Sequence, residues 1–225
     1  IVPFFVFKRY KLNLSRIKLL LFRGIIGIAA MGCLYYAFKY GQAGQSTLFF
    51  HFSVIWAFLL SRYLYNERPH FYSKCAILIA FVGLGCILFP LSLTVTLGTL
   101  FALCGSIFHA CVLLSIKSLR KTHDSMSIIL VFNVIALLIL VKPAEITTIN
   151  YSFQTILIMI AVSLLSFGGQ WFLTTGYKYC LATIASAIGL IQVPIMYFVG
   201  YFMFSETIYT INMIGVFIVV VCISI

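Results

Sequence analysis

Acidic residues are almost absent from this chain: four in 225 residues, against fifteen lysines and arginines. Charged residues make up only 8% of the sequence, where a soluble domain carries roughly 25%. Hydrophobic residues reach 63%. That balance excludes a water-soluble domain, because a core built from this length cannot hide so much apolar surface. The four carboxylates, Glu67, Asp124, Glu145 and Glu206, are far apart in sequence. No Ser/His/Asp constellation, glycine-rich phosphate loop or carboxylate cluster is present, so an enzyme is not expected. The seven cysteines include no Cys-x-x-Cys pair and no histidine at metal-ligand spacing. They read as small packing residues, and neither metal nor cofactor is expected.

What is there is a succession of apolar runs. Residues 19–38, 44–65, 74–90, 97–116, 126–141, 153–176, 180–204 and 207–225 each approach the ~20 residues that a membrane-spanning helix needs. The polar/apolar alternation of a membrane β-barrel is missing. The expected class is all-α, a polytopic transmembrane helical bundle. Ile1 to Phe7, running into Lys8-Arg9, reads as the tail of a helix leaving the membrane rather than a signal peptide.

Charge placement orients these helices. Lys8, Arg9, Lys11, Arg16, Lys18 and Arg23 precede or open the first full run; Arg62, Arg68 and Lys74 lie two crossings later. Lys117, Arg120 and Lys121 follow after two more crossings, and Lys178 after another two. Even numbers of crossings return the chain to one side, leaving only Lys39 and Lys142 on the other. This is the positive-inside bias, which makes the basic face cytoplasmic. No basic patch with interleaved aromatics lies in a soluble region, so nucleic acid is not an expected partner.

The chain also repeats itself. Lys39-Tyr40 recurs as Lys178-Tyr179, Ala43 as Ala182, Val54 as Val193 and Glu67 as Glu206, all 139 positions apart without a gap. Runs 19–38, 44–65 and 74–90 align with 153–176, 180–204 and 207–225. Residues 1–7 align with 126–141, and 97–116 pairs with a helix preceding this chain. The expectation is a ten-helix inverted repeat (5+5), with the first helix and part of the second missing here. Five is odd, so the second half enters the membrane from the opposite side. The two repeats are expected at 1–90 and 97–225.

Tyr36-Ala37, a short turn, Ala43, an apolar helix closing on Glu67, and Gly83 and Gly85 form one set of landmarks. Gly176-Tyr177, Ala182, Pro194, Glu206 and Gly215 form the second. With these residues the chain resembles the EamA-like branch of the drug/metabolite transporter superfamily. Two positions depart from the family's habit. Pro194 has Ile55 rather than a proline as its counterpart, so the halves are expected to bend unequally. Phe108-His109 stands where an aromatic, often tryptophan, is common.

The resemblance implies a central cavity lined by 19–38, 44–65, 153–176 and 180–204. Polar groups inside a membrane are costly unless they face a partner or a wet cavity. The cavity candidates are therefore Tyr35, His51, Trp56, His109, Gln170, Trp171, Tyr177, Gln192 and Tyr197, with Ser53 and Asn133 also inside helices. The competing reading is interhelical hydrogen bonding and packing. Lys39, Lys178, Glu67 and Glu206 read as repeat-equivalent structural residues at helix ends, where lysine snorkels and caps carbonyls. The expected function is transport of a small organic metabolite or amphipathic compound across the bacterial inner membrane by alternating access. The alternatives are uptake of a host metabolite such as S-adenosylmethionine, which the Ile-, Lys-, Phe- and Tyr-rich composition favours, and a membrane-embedded enzyme or non-transporting receptor. The expected partners are a small-molecule substrate and the lipid bilayer; homo-oligomers are compatible with this reading.

Overall fold

A computed structural model describes residues 15–41, 43–66, 71–87, 96–140, 152–195, 198, 202 and 209–223. Among them there is no strand; the helices are α1 (Ile17–Tyr40), α2 (Ala43–His51), α3 (Ser53–Tyr65), α4 (Phe71–Ile87), α5 (Leu97–Leu119), α6 (Ser125–Leu140), α7 (Phe153–Gly176), α8 (Ala182–Ile188) and α9 (Thr210–Ile223). Lipid supplies no hydrogen bonds to peptide groups, and a helix satisfies them within the segment, which is why the described apolar runs are helical. Four helical stretches, Ile17–Tyr40, Ser46–Tyr65, Leu97–Leu119 and Phe153–Gly176, are long and apolar enough to cross a bilayer. Among the described residues, Lys74–Ile87, Ser125–Ile139, Ala182–Ile195 and Thr210–Cys222 form shorter apolar helices.

α2 and α3 are one apolar stretch tightened at Phe52, whose N–H donates to the Phe49 carbonyl at 3.2 Å. A three-residue 3-10 turn, Gly189–Ile191, follows α8. Pro194 accounts for that turn, since it cannot donate to the carbonyl of Leu190, four residues back. Phe52 and Ile191 are 139 positions apart. Tightening therefore occurs at two places 139 residues apart, although only the second is followed by a proline. α3 ends at Asn66, which adopts the left-handed conformation (φ 52°) that releases a helix.

The chain divides into two units. One comprises 1–28 and 115–179, the other 29–114 and 180–225. In the first, Leu20, Leu119 and Ile128 form a buried cluster, and Gly24 and Gly27 let α1 press against Ile135 and Phe132. Ser125 and Thr175 share a hydrogen bond of 2.9 Å, joining the start of α6 to the end of α7. Arg16 reaches Ser118 at 3.4 Å.

The second unit holds a larger core: Leu48, Val54, Ile77, Ala80, Leu84, Ile87, Leu190, Val193, Val216 and Val219. Val54 and Val193, Ile77 and Val216, and Ala80 and Val219 are again pairs 139 positions apart. α4 and α9 meet at Gly83 and Gly215, where backbones approach closely: a Cβ on Gly215 would stand 2.5 Å from the Gly83 oxygen. Small residues at such crossings are how helices gain dispersion contacts in lipid. Above that crossing the buried amide of Asn212 donates to the carbonyls of Cys86 (3.0 Å) and Ile87 (2.6 Å). It thereby closes the end of α4. Ser61 and Thr183, 3.0 Å apart, tie α3 to α8.

Candidate functional site: an aromatic and hydroxyl cluster on three helical segments

Three of the candidate residues come together in the second unit. His51 ends α2 and is buried. Two residues on, the Ser53 hydroxyl shares a 3.1 Å hydrogen bond with Nδ1 of His109 on α5, its direction set by the imidazole tautomer. Phe50 bridges the two histidines, tilted over His109 at 4.9 Å between centroids and edge-on to His51 at 6.5 Å. One turn along α3, Trp56 Nε1 donates to Ser106 Oγ at 3.1 Å. Ser106 in turn donates to the Leu103 carbonyl at 2.6 Å. The tightened turn at Phe52 presents His51 and Ser53 together, and the spacing of three residues between Ser106 and His109 puts both on one face of α5.

The cluster offers rings, imidazoles and hydroxyls, and no formal charge when the histidines are neutral. Ser53 and Ser106 are buried, and their hydroxyls bond within the cluster. Among the described residues no group of three or more His, Cys, Asp or Glu could hold a metal ion. All seven cysteines are free thiols.

The remaining candidates are placed individually. Tyr35, on α1, is 66% exposed, and Gln192 is also exposed. In the first unit, Gln170 and Trp171 on α7 are half-buried. Trp171 leans on Phe167 at 6.2 Å, while the buried Oε1 of Gln170 finds no donor. Tyr177 is buried but sits at the C-cap of α7 rather than within it. Asn133 is exposed and donates to its own helix, at the Ile129 carbonyl (2.9 Å). Lys39 and Lys178 each lie over the ring of the next residue, Tyr40 at 5.3 Å and Tyr179 at 5.6 Å. This is the same local contact at two positions 139 residues apart. Tyr197, Glu67 and Glu206 lie outside the described residues. Sequence reasoning missed Phe50 and Ser106; the i, i+3 relation of Ser106 to His109 was the available signal.

A profile of the EamA-like transporter family matches residues 1–89 and 96–225. The chain belongs to the EamA-like transporter family. The EamA chain is 24% identical over 223 residues to the pseudopaline exporter CntI of two Pseudomonas aeruginosa strains. The match covers 95% of this chain and 76% of the exporter. A solved crystal structure superposes with a TM-score of 0.79 at 12% identity, covering 99% of this chain and 81% of the other. That likeness carries the fold. Membership, the exporter relative and the apolar helices identify an integral membrane protein of a transporter family rather than an enzyme family.

Proposed function

We propose that this EamA-like chain exports a small organic metabolite or amphipathic compound across a bacterial inner membrane, by alternating access between inverted repeats at 1–90 and 97–225. The observation that carries the repeat is the core of the second unit. Val54/Val193, Ile77/Val216 and Ala80/Val219 pack in one cluster at a constant spacing of 139 residues. Repeat-equivalent residues meet in this way where two related elements pack about a pseudo-twofold axis. The paired tightening at Phe52 and Gly189–Ile191 supports the same reading. Export is the direction supported by the relative named as an exporter.

His51, Trp56 and His109 are the proposed solute contacts of the second unit; Gln170 and Trp171 are proposed separately as contacts of the first. Their rings and amides suit a planar or amphipathic solute. The test is transport of labelled metabolites by vesicles containing the full-length protein, in both membrane orientations. Accumulation by inside-out vesicles, weakened by Trp56→Ala or Trp171→Ala at normal membrane insertion, supports the proposal. Accumulation by right-side-out vesicles alone makes it an importer. No movement above protein-free vesicles for any solute ends the reading.

A further inference from the structure

Among the described residues, Arg23 is the least accommodated buried group. It lies six residues into α1, roughly 9 Å from the helix start, and is 4% exposed. Its guanidinium stands over the Phe132 ring of α6, 4.3 Å from the centroid. Neither Nε nor Nη1 finds a hydrogen-bond acceptor. The second unit, by contrast, leaves no buried side-chain N or O unpaired among its described residues. Attraction to a ring offsets part of the cost of burying the charge and satisfies neither donor. The described carboxylate of this unit, Asp124, precedes α6 and stands about 12 Å from Phe132 along that helix. The two helices beside it pack closely. A Cβ on Gly27 would lie 3.0 Å from the Phe132 ring, and one on Gly24 would collide with Ile135.

A permanently charged guanidinium that lies against a ring and lacks acceptors is suited to recognise a carboxylate or phosphate group. We propose that Arg23, backed by Phe132, anchors an oxyanion-binding site whose ligand is an organic anion. It rests on the transport reading only where that anion is taken as the solute; binding is tested without transport.

Full-length protein in phosphatidylcholine nanodiscs is titrated at constant ionic strength with benzoate, inorganic phosphate, chloride and benzamide, the neutral isostere of benzoate. Benzoate or phosphate is expected to raise Tm with the logarithm of concentration above Kd, on the order of 5 °C at a hundredfold excess over Kd. Chloride and benzamide leave Tm unchanged. Arg23→Met abolishes the shift, and Arg23→Lys weakens it at least tenfold in Kd. If the soluble anions fail but phosphatidylglycerol in the nanodisc stabilises the wild type and not Arg23→Met, the oxyanion is a lipid headgroup and the site stands. Without ligand, Arg23→Met is expected to match or exceed the wild-type Tm, because an unpaired buried charge has been removed. A lower Tm without ligand would mark Arg23 as paired with a carboxylate of the protein itself, and would overturn the proposal. So would an anion response that survives Arg23→Met, or no response to any oxyanion.

Discussion

Two asparagines inside apolar helices illustrate how differently one residue type is used. Asn133 bonds to its own helix. Asn212 spans two helices, capping the carbonyls of Cys86 and Ile87 while its Oδ1 accepts from the Tyr209 N–H at 2.9 Å. Asn212→Ala strands those carbonyls in a buried site and is expected to cost about 2–4 kcal/mol, whereas Asn133→Ala costs under about 1 kcal/mol. Thermal unfolding of the two variants in one detergent checks the difference. His123, in the turn after α5, makes a second prediction. Burial chiefly pushes its imidazole below the usual value; the Leu119 backbone opposes this, Arg16 adds to the lowering, and Asp124 opposes it. The folded state therefore favours neutral His123, and the unfolded chain binds the proton more readily. Stability is expected to fall as pH drops below the unfolded value of about 6.5, and to recover as pH rises through it. His123→Gln should flatten that part of the Tm profile between pH 5 and 8. An identical slope in the variant would exclude His123 as its source.

At the scale of elements, the α4–α9 crossing is the tightest point of the larger unit. A methyl group at Gly215 would meet backbone, 2.5 Å from the Gly83 oxygen and 2.6 Å from the Ile87 nitrogen, and neither can move aside without separating the helices. Gly215→Ala is expected to cost about 1–3 kcal/mol. Gly169, on α7, has open space where its Cβ would be. Gly169→Ala is neutral or stabilises by up to about 1 kcal/mol, through helix propensity. Chemical or thermal unfolding should separate the two by sign. Gly83 and Gly215 were legible as landmarks in the sequence, but not as partners. Whether a glycine is a crossing point depends on the helix opposite, and the residues around Gly169 give no warning that it is dispensable. Helix positions were legible to within a few residues, because runs of apolar side chains are a local signal. The tightening at Phe52 was not. It occurs where no proline or glycine announces it, and it is what places His51 beside Ser53.

For the whole molecule, charge asymmetry predicts that loops with Arg68, Arg120 and Lys178 are cytoplasmic and those with Lys142 and Glu206 external. Within the first unit, Arg16 meets Ser118 and Ser125 meets Thr175, so the basic helix ends at 16–18, 117–121 and 178 lie at one end of it. In a background lacking the seven native cysteines, a membrane-impermeant maleimide is expected to label a cysteine at 145 and spare one at 120 in intact cells. The reverse pattern would invert the topology. By itself the sequence determined the membrane class, the helices and the internal spacing of 139. These follow from hydropathy and from the need of each peptide group in lipid to bond within its own segment. Only the tertiary structure decided which polar side chains serve whom. Ser53 and His109 are 56 positions apart and Asn212 and Cys86 are 126 apart. Arg23 stays short of partners because α6, and not a carboxylate, lies against it. A side chain's own position reports that it is polar. Its role is set by the helix that packs across from it, and that helix is remote in sequence.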